Sequence, residues 1–364
     1  MTDRILVINL NEMQNNEILF CPMVSWVSAA AENAGYAPEE MILSDAFDFS
    51  GAKGKQVLIL PCNMPLITPE VLAESEVFHR TSDAKLTLLG GAASGAFWVD
   101  GTLLAEVGNI SELFDAAENP AVFPVSDTDA LLTAVTKKEL LELNKIAAAR
   151  ILEKHMDNGV EVLSDDGVLI DPRVKISAGC IIYPGTILKG ETVIGENCIL
   201  GPNTVIRNST VGNNCELNAS QIEDSVLENG INMGPFAHIR PNSHIGNGVH
   251  LGNFTEVKNS NVGDRTAVSH LTYVGDSDVG VAVNFGCGCV TVNYDGQKKH
   301  RTTIGDHAFI GCNTNLVAPV TVEDFGYTAA GSTITQNVPK KALAIARARQ
   351  YNKEGWAEGK IKIK

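Results

Sequence analysis

Residues 170–206 read IDPRVKISAGCIIYPGTILKGETVIGENCILGPNTVI, and a step of six through them lands on Ile170, Ile176, Ile182, Leu188, Ile194, Leu200 and Ile206. Every landing is a branched aliphatic. A helix repeats its apolar face about every 3.6 residues and a strand about every two, so neither produces a period of six over this length. A parallel β-helix does, because each six-residue face contributes one inward aliphatic and one turn. The intervening pairs Glu196-Asn197, Pro202-Asn203 and Asn213-Asn214 supply the turn residues.

A longer repeat encloses the short one. Ile194-Gly195, Val211-Gly212, Ile245-Gly246, Val262-Gly263 and Val279-Gly280 lie 17 residues apart, or 34 where a copy is blurred around Glu228. Three faces of six with one residue trimmed give that spacing. The next copy, Ile304-Gly305, comes 25 residues on, so about eight residues are inserted in one coil. The insertion holds Asn293-Tyr294-Asp295-Gly296-Gln297-Lys298-Lys299-His300 and no inward aliphatic, so it must leave the prism as a loop. Long excursions from a rigid scaffold often carry function. The repeat predicts a β-helix over 160–338, held coil on coil by a continuous aliphatic column. Neither its hand nor its function follows from the period.

The rest of the chain is read against that half. Its 364 residues have room for two domains, and 44% hydrophobic with 20% charged residues is ordinary for a soluble globular protein. Ile5–Ile8 is the longest early apolar run and lacks a basic flank, so no signal peptide or membrane span is expected. The eight cysteines include no Cys-x-x-Cys pair, only Cys287-x-Cys289, and are read as reduced thiols of a cytoplasmic protein. A net charge of −15 argues against a nucleic-acid partner. Residues 1–125 hold 5 Lys/Arg against 17 Asp/Glu, a balance of −12, whereas 340–364 hold 8 against 2, a balance of +6. That basic tail, 339–364, is either a solvated end or a contact for a polyanionic ligand.

Residues 1–126 read as a small α/β domain. Ile5–Leu10, Val57–Leu60 and Leu86–Leu89 are strand-like, with helical character over Val24–Ala34 and Pro69–His79. A helical connector is expected over 127–159. Thr136 and Glu139 have capping-box spacing, apolar Leu140, Leu143, Ala147 and Ile151 follow, and Asn158-Gly159 ends the helix.

GPFAHIRP (234–241), GNFTEVK (252–258), SHLTYVGD (269–276), VNYDGQKK (292–299) and ALAIARA (342–348) stand in this order. From about Thr128 to Trp356 the chain resembles the bifunctional N-acetylglucosamine-1-phosphate uridylyltransferase/glucosamine-1-phosphate acetyltransferase family. The resemblance implies a left-handed β-helix, a homotrimer with sites between subunits, and acetyl-CoA as co-substrate. It also implies a small phosphorylated amino sugar as acceptor, in the route to UDP-N-acetylglucosamine for peptidoglycan. The N-terminal third resembles a worn, shortened copy of the family's Rossmann-like nucleotidyltransferase domain. Where the family has a glycine-rich loop with Gly-x-Gly-Thr-Arg, this chain has Asn11-Glu12-Met13-Gln14-Asn15-Asn16. Such a loop cannot bring successive N–H groups against a triphosphate in the same way. Leu60-Pro61-Cys62-Asn63-Met64-Pro65-Leu66 matches the family's Gly-Asp-x-Pro-Leu strand end, with Asn63 where a metal-binding Asp is expected. An amide lacks the charge a hard divalent ion favours, so no metal site and no uridylyl transfer are expected.

Acetyl transfer to an amine needs a positioned thioester and a group that takes a proton. The family's general base falls on His270, and a histidine titrating near neutrality suits that step. Arg240 and Lys258 match the pair that binds the sugar phosphate, one as a two-donor fork and one as a compact charge. Tyr273 and Asn284 match residues that hold the sugar. The CoA contacts map to Cys287, Asn293, Tyr294, Cys312, Ala330 and Arg347, and Lys299 matches a loop lysine that reaches a neighbouring subunit's site. The family often has Ala at Cys287 and Ser at Cys312; both replacements are small. The resemblance implies direct transfer of acetyl to the amine, so no Mg²⁺ requirement is expected and neither thiol is read as a nucleophile, buried core cysteines being the default. Two other readings stay open: acetylation of another amino sugar or nucleotide sugar, and a non-catalytic trimeric scaffold or sugar-nucleotide sensor.

Overall fold

The structure, a computed structural model, describes residues 4–43, 48–107, 110, 112–358 and 360. Gly359 and residues 361–364 of the basic tail lie outside the described residues. The chain divides into two compact units, Met1–Lys154 with Ile170–Pro172, and His155–Leu169 with Arg173–Lys364.

The first unit is an α/β sandwich. Its six-stranded sheet runs in the order Pro38–Met41, Arg4–Asn9, Gln56–Pro61, Phe97–Asp100, Leu86–Leu89, Ala121–Phe123. Only Phe97–Asp100 is antiparallel to its neighbours. The three strands and two helices expected from sequence are present, the helices as Met23–Asn33 and Pro69–Thr81. Successive residues of Gln56–Pro61 serve opposite faces: Val57 and Ile59 enter one apolar cluster, Leu58 and Leu60 the other. Both faces are therefore covered, which explains the unbroken apolar runs.

Thr136 and Glu139 close the capping box in both directions. Glu139 N–H donates to Thr136 Oγ1 at 3.2 Å, and Thr136 N–H donates to Glu139 Oε2 at 2.9 Å. The helix they open, Lys137–Asp157, falls in the first unit as far as Lys154. Leu143, Ala147 and Ile151 are buried, and Arg150 donates to Leu66 O at 3.0 Å and to Asp127 at 2.8 Å.

The second unit is a left-handed parallel β-helix. Each coil sends one short strand to each of three parallel sheets, of ten, nine and eleven strands. All seven residues of the six-step series are buried, Ile182 through Ile206 completely. The column containing Ile194, Val211, Ile245, Val262, Val279 and Ile304 also contains Leu227, so Leu227-Glu228 is the blurred copy. Parallel pairing continues past the expected end at Val338, with Leu343–Ala344 beside Tyr327–Thr328. The solenoid thus takes up the first residues of the expected tail.

Candidate functional site

Two of the three sheets meet at a corner that the chain turns at His270-Leu271-Thr272. The inward residues Val268, Phe285, Ile310, Thr328 and Ala344 form one ladder on the first of these sheets. Two residues beyond each stand His270, Cys287, Cys312, Ala330 and Ala346, one per coil. Backbone bonds carry the column onward: Asn313 N–H donates to Cys287 O at 2.8 Å and Gly331 N–H to Cys312 O at 2.8 Å. Strands stack at about 4.8 Å, so four coil steps span roughly 19 Å. Side-chain size falls along the way from Cys to Ala. The exposed Arg347 stands at the far end, where a Cβ added to Gly331 would lie 3.7 Å from its Cδ. The column is a narrow floor with an imidazole at one end and a guanidinium at the other.

His270 is exposed, and its Nδ1 lies 3.1 Å from Asn253 Oδ1 of the preceding coil. An amide oxygen only accepts, so Nδ1 carries the proton and Nε2 keeps its lone pair for a substrate.

Around the corner the next sheet carries the cations. Val257 is in register with Ile239 and Val274, which places Arg240, Lys258 and Gly275 on successive coils. Arg240 Nη1 pairs with Glu256 Oε1 at 2.9 Å. Lys299, in the inserted loop, comes back against Lys258 of the same chain. The two amino groups compete for protons, so that Lys258 lies below the ordinary lysine value and Lys299 above it. Asp276, 4% exposed, opposes the fall and favours the charged form of both. Two like charges side by side in an otherwise acidic protein make a site that an anion relieves.

The inserted loop is a tight hairpin. Tyr294 bridges Lys299 in antiparallel fashion, and Asp295 Oδ1 accepts from Gln297 N–H and Lys298 N–H, each at 2.7 Å. His300 Nε2 meets Asp295 Oδ2 at 2.7 Å. The backbone donors hold Asp295 far below the usual carboxylate range. Asn293 at the loop's base donates to Tyr273 Oη at 3.3 Å and to Asp276 Oδ2. Asn293 therefore joins the Lys258–Lys299–Tyr273 group, while Tyr294 points its hydroxyl at Gly296 O. Asn284 joins neither group. It stands on the sheet before the corner, between Ala267 and Phe309.

Four residues of this site lie within the motifs quoted above but gain a role only from the structure. Asn253 orients His270, Glu256 holds Arg240, and Asp276 anchors Asn293. Gly275 leaves room for the Tyr273 ring, since a Cβ there would lie 2.3 Å from Tyr273 Oη. The coil period could have found Asn253, which is 17 residues before His270.

In the first unit, Asn63 is 4% exposed, donates to Ala134 O at 2.8 Å and accepts from Asn11 Nδ2 at 3.2 Å. Three N–H groups of the loop after Arg4–Asn9 bind within the loop itself. Met13 N–H binds Asn11 Oδ1, Gln14 N–H binds Asn11 O, and Asn16 N–H binds Met13 O. These N–H groups are committed before any phosphate arrives.

A profile of the bacterial transferase hexapeptide (six repeats) family matches residues 173–208. The "Bifunctional protein GlmU" of Clostridium acetobutylicum is 50% identical over 236 residues, covering 65% of this chain and 52% of that protein. The protein of that name from Clostridium perfringens is 52% identical over 236 residues, with the same coverage. That of Acetivibrio thermocellus is 47% identical over 247 residues, covering 68% and 54%. The chain spans about half the length of these relatives. It carries the hexapeptide repeat of bacterial transferases and resembles the bifunctional uridylyltransferase/acetyltransferase family.

Proposed function

We propose that the chain is an acetyl-CoA-dependent N-acetyltransferase acting on glucosamine 1-phosphate, in the supply of UDP-N-acetylglucosamine. The observation that carries this reading is the corner itself. His270, with Nε2 free, stands between a small-residue column ending at Arg347 and a cation group of Arg240, Lys258 and Lys299. Acetyl-CoA is a long ligand with an anionic end and a reactive end, and it suits the column. A sugar phosphate suits the cations.

In the reaction the amine nitrogen attacks the thioester carbonyl as Nε2 of His270 takes its proton. The tetrahedral intermediate collapses, the C–S bond breaks, and the CoA thiolate leaves with the proton returned by the imidazolium. Asn253 stabilises the imidazolium through Nδ1–H. Asp276 fixes Asn293 and favours the charged form of the two lysines, which suits a phosphate.

The chain works as a homotrimer with sites completed across subunits. Phe236 and Phe254 stack at 5.5 Å, and with Leu271 they are exposed on left-handed backbone that bulky residues rarely adopt. This apolar corner adjoins His270 and suits cover by a second copy of the chain. Among the described residues no helix is long and apolar enough to cross a membrane, and the reading is of a cytoplasmic enzyme with neither nucleic-acid nor membrane partners. The first unit does not transfer a uridylyl group, which the committed Asn63 and loop donors support.

The test is mass detection of the N-acetylated product from acetyl-CoA with glucosamine 1-phosphate, glucosamine and amino-sugar nucleotides offered separately. Turnover with glucosamine 1-phosphate at least tenfold above the others is expected. Preference for a nucleotide sugar would overturn the substrate assignment, and no turnover with any acceptor would favour a scaffold or sensor.

A further inference from the structure

Six of the eight cysteines, among them Cys180, Cys198, Cys215 and Cys289, are buried. The two that are not, Cys287 and Cys312, stand on consecutive coils of the column that starts at His270. Two cysteines can be bridged when their Cα atoms are roughly 4.4–6.8 Å apart. Neighbouring coils lie about 4.8 Å apart, inside that range. The chain is also close here. Gly286 N–H donates to Ile310 O at 2.7 Å, and a Cβ added to Gly286 would lie 2.8 Å from Cys312 Sγ.

We propose that Cys287 and Cys312 form a redox-sensitive thiol pair whose disulfide closes the column to acyl-CoA. Solvent access selects this pair. Cys289, two residues away, is 2% exposed and turns its thiol to Gly311 O at 3.1 Å. Burial pushes its thiol up to about 11, which leaves it inert beside its neighbours. Cys180, Cys198 and Cys215 likewise spend their thiols on backbone carbonyls inside the solenoid.

The oxidant is a hydroperoxide, ROOH. One thiolate attacks the terminal peroxide oxygen, breaking the O–O bond, so that ROH leaves and a sulfenic acid forms. The second thiol attacks that sulfur, the S–O bond breaks and water leaves. Two thiols lose two electrons and two protons in all, and ROOH is reduced to ROH and H₂O. An added dithiol reverses the change by exchange. The bridge draws both side chains across the narrow floor between His270 and Ala330. The effect on acyl-CoA rests on the functional reading above; formation of the bridge does not.

The experiment treats the full chain with a few equivalents of hydrogen peroxide and reads intact mass, a non-reducing peptide map and acetyl-CoA affinity by calorimetry. A loss of two mass units, a Cys287–Cys312 cross-link and at least tenfold weaker acetyl-CoA binding are expected, all reversed by dithiothreitol. Cys287→Ala and Cys312→Ser, each compared with its own reduced form, should lose both the cross-link and the response. A reduced protein without the mass loss after peroxide, a cross-link elsewhere, or a bridged protein with unchanged affinity would overturn the proposal. Failure of the reduced protein to bind acetyl-CoA would instead sink the acetyltransferase reading, while the mass and peptide map still decide whether the pair forms.

Discussion

Gly275→Ala should damage the acceptor site while sparing the fold. A Cβ at this position would stand 2.3 Å from Tyr273 Oη, 2.5 Å from Cζ and 2.6 Å from Cε1. Ordinary contact needs about 3.5 Å, so the tip of the ring must retreat by roughly 1 Å. The backbone can accept alanine, because Gly275 is not among the glycines with positive φ. What moves is Tyr273, whose hydroxyl accepts from Asn293 at 3.3 Å. Loss of that bond costs about 1 kcal/mol, and a displacement of about 1 Å in a positioning group can cost about a hundredfold in rate. Acetyl transfer to glucosamine 1-phosphate should therefore fall about tenfold to a hundredfold in kcat/KM. The KM for acetyl-CoA should be little changed. Adding Tyr273→Phe to Gly275→Ala should cost much less than it does in the parent chain, since the two act through one hydroxyl. A folded Gly275→Ala protein with parental kcat/KM, or one with acetyl-CoA binding equally weakened, would refute the reasoning.

Removing Arg240 or Lys258 by substitution with alanine should cost about 1.5–3 kcal/mol, roughly tenfold to a hundredfold in kcat/KM for the sugar phosphate. Steady-state kinetics should show little change in KM for acetyl-CoA; equal weakening of both ligands would mean that these residues support the fold instead. Asn63→Asp should lower stability by about 1–3 kcal/mol, because a carboxylate cannot donate to Ala134 O in that buried place. It should also fail to release pyrophosphate from UTP with N-acetylglucosamine 1-phosphate and Mg²⁺, since the loop donors stay committed; robust release by either form would contradict this account of the first unit. His79 bears on acid stability. Burial pushes it from the usual 6.5 down to about 4, with Nδ1 at 2.7 Å from Thr87 Oγ1 and Nε2 at 2.7 Å from Gln56 Oε1. The unfolded chain binds more protons there, so this stability is present above about pH 6.5 and lost as pH falls through 4. The urea midpoint should fall more steeply across that window in the parent than in His79→Leu; parallel slopes would refute it.

The β-helix was legible because its signal is local and repeated. Ile170 to Ile206 each face the column, and a 17-residue step recovers the coil-to-coil neighbours even where Leu227 blurs the count. The same step carries His270 to Cys287, so part of the column could be read directly. The insertion broke that arithmetic. Nothing in the spacing tells that Lys299 folds back onto Lys258 of its own chain, because the turn depends on Asp295 capping Gln297 and Lys298. Nor does the spacing show that the Asn293 amide is held by Asp276 and Tyr273, two groups on an earlier coil. In the first unit the three strands announced themselves as apolar runs. Phe97-Trp98-Val99 is as apolar as these, but its antiparallel place between two strands follows from sheet pairing. The substitution at Asn63 was visible, but its bond to Ala134 joins positions 71 residues apart and required the fold.

The central claim is that His270 takes the amine proton in acetyl transfer to glucosamine 1-phosphate. Single-turnover transfer from acetyl-CoA, followed by product mass in the parent and in His270→Ala, tests it most directly. The account predicts N-acetylglucosamine 1-phosphate from the parent and a rate about 10²–10⁴ lower from a folded variant that still binds both ligands. A folded His270→Ala protein that makes this product at the parental rate would contradict it.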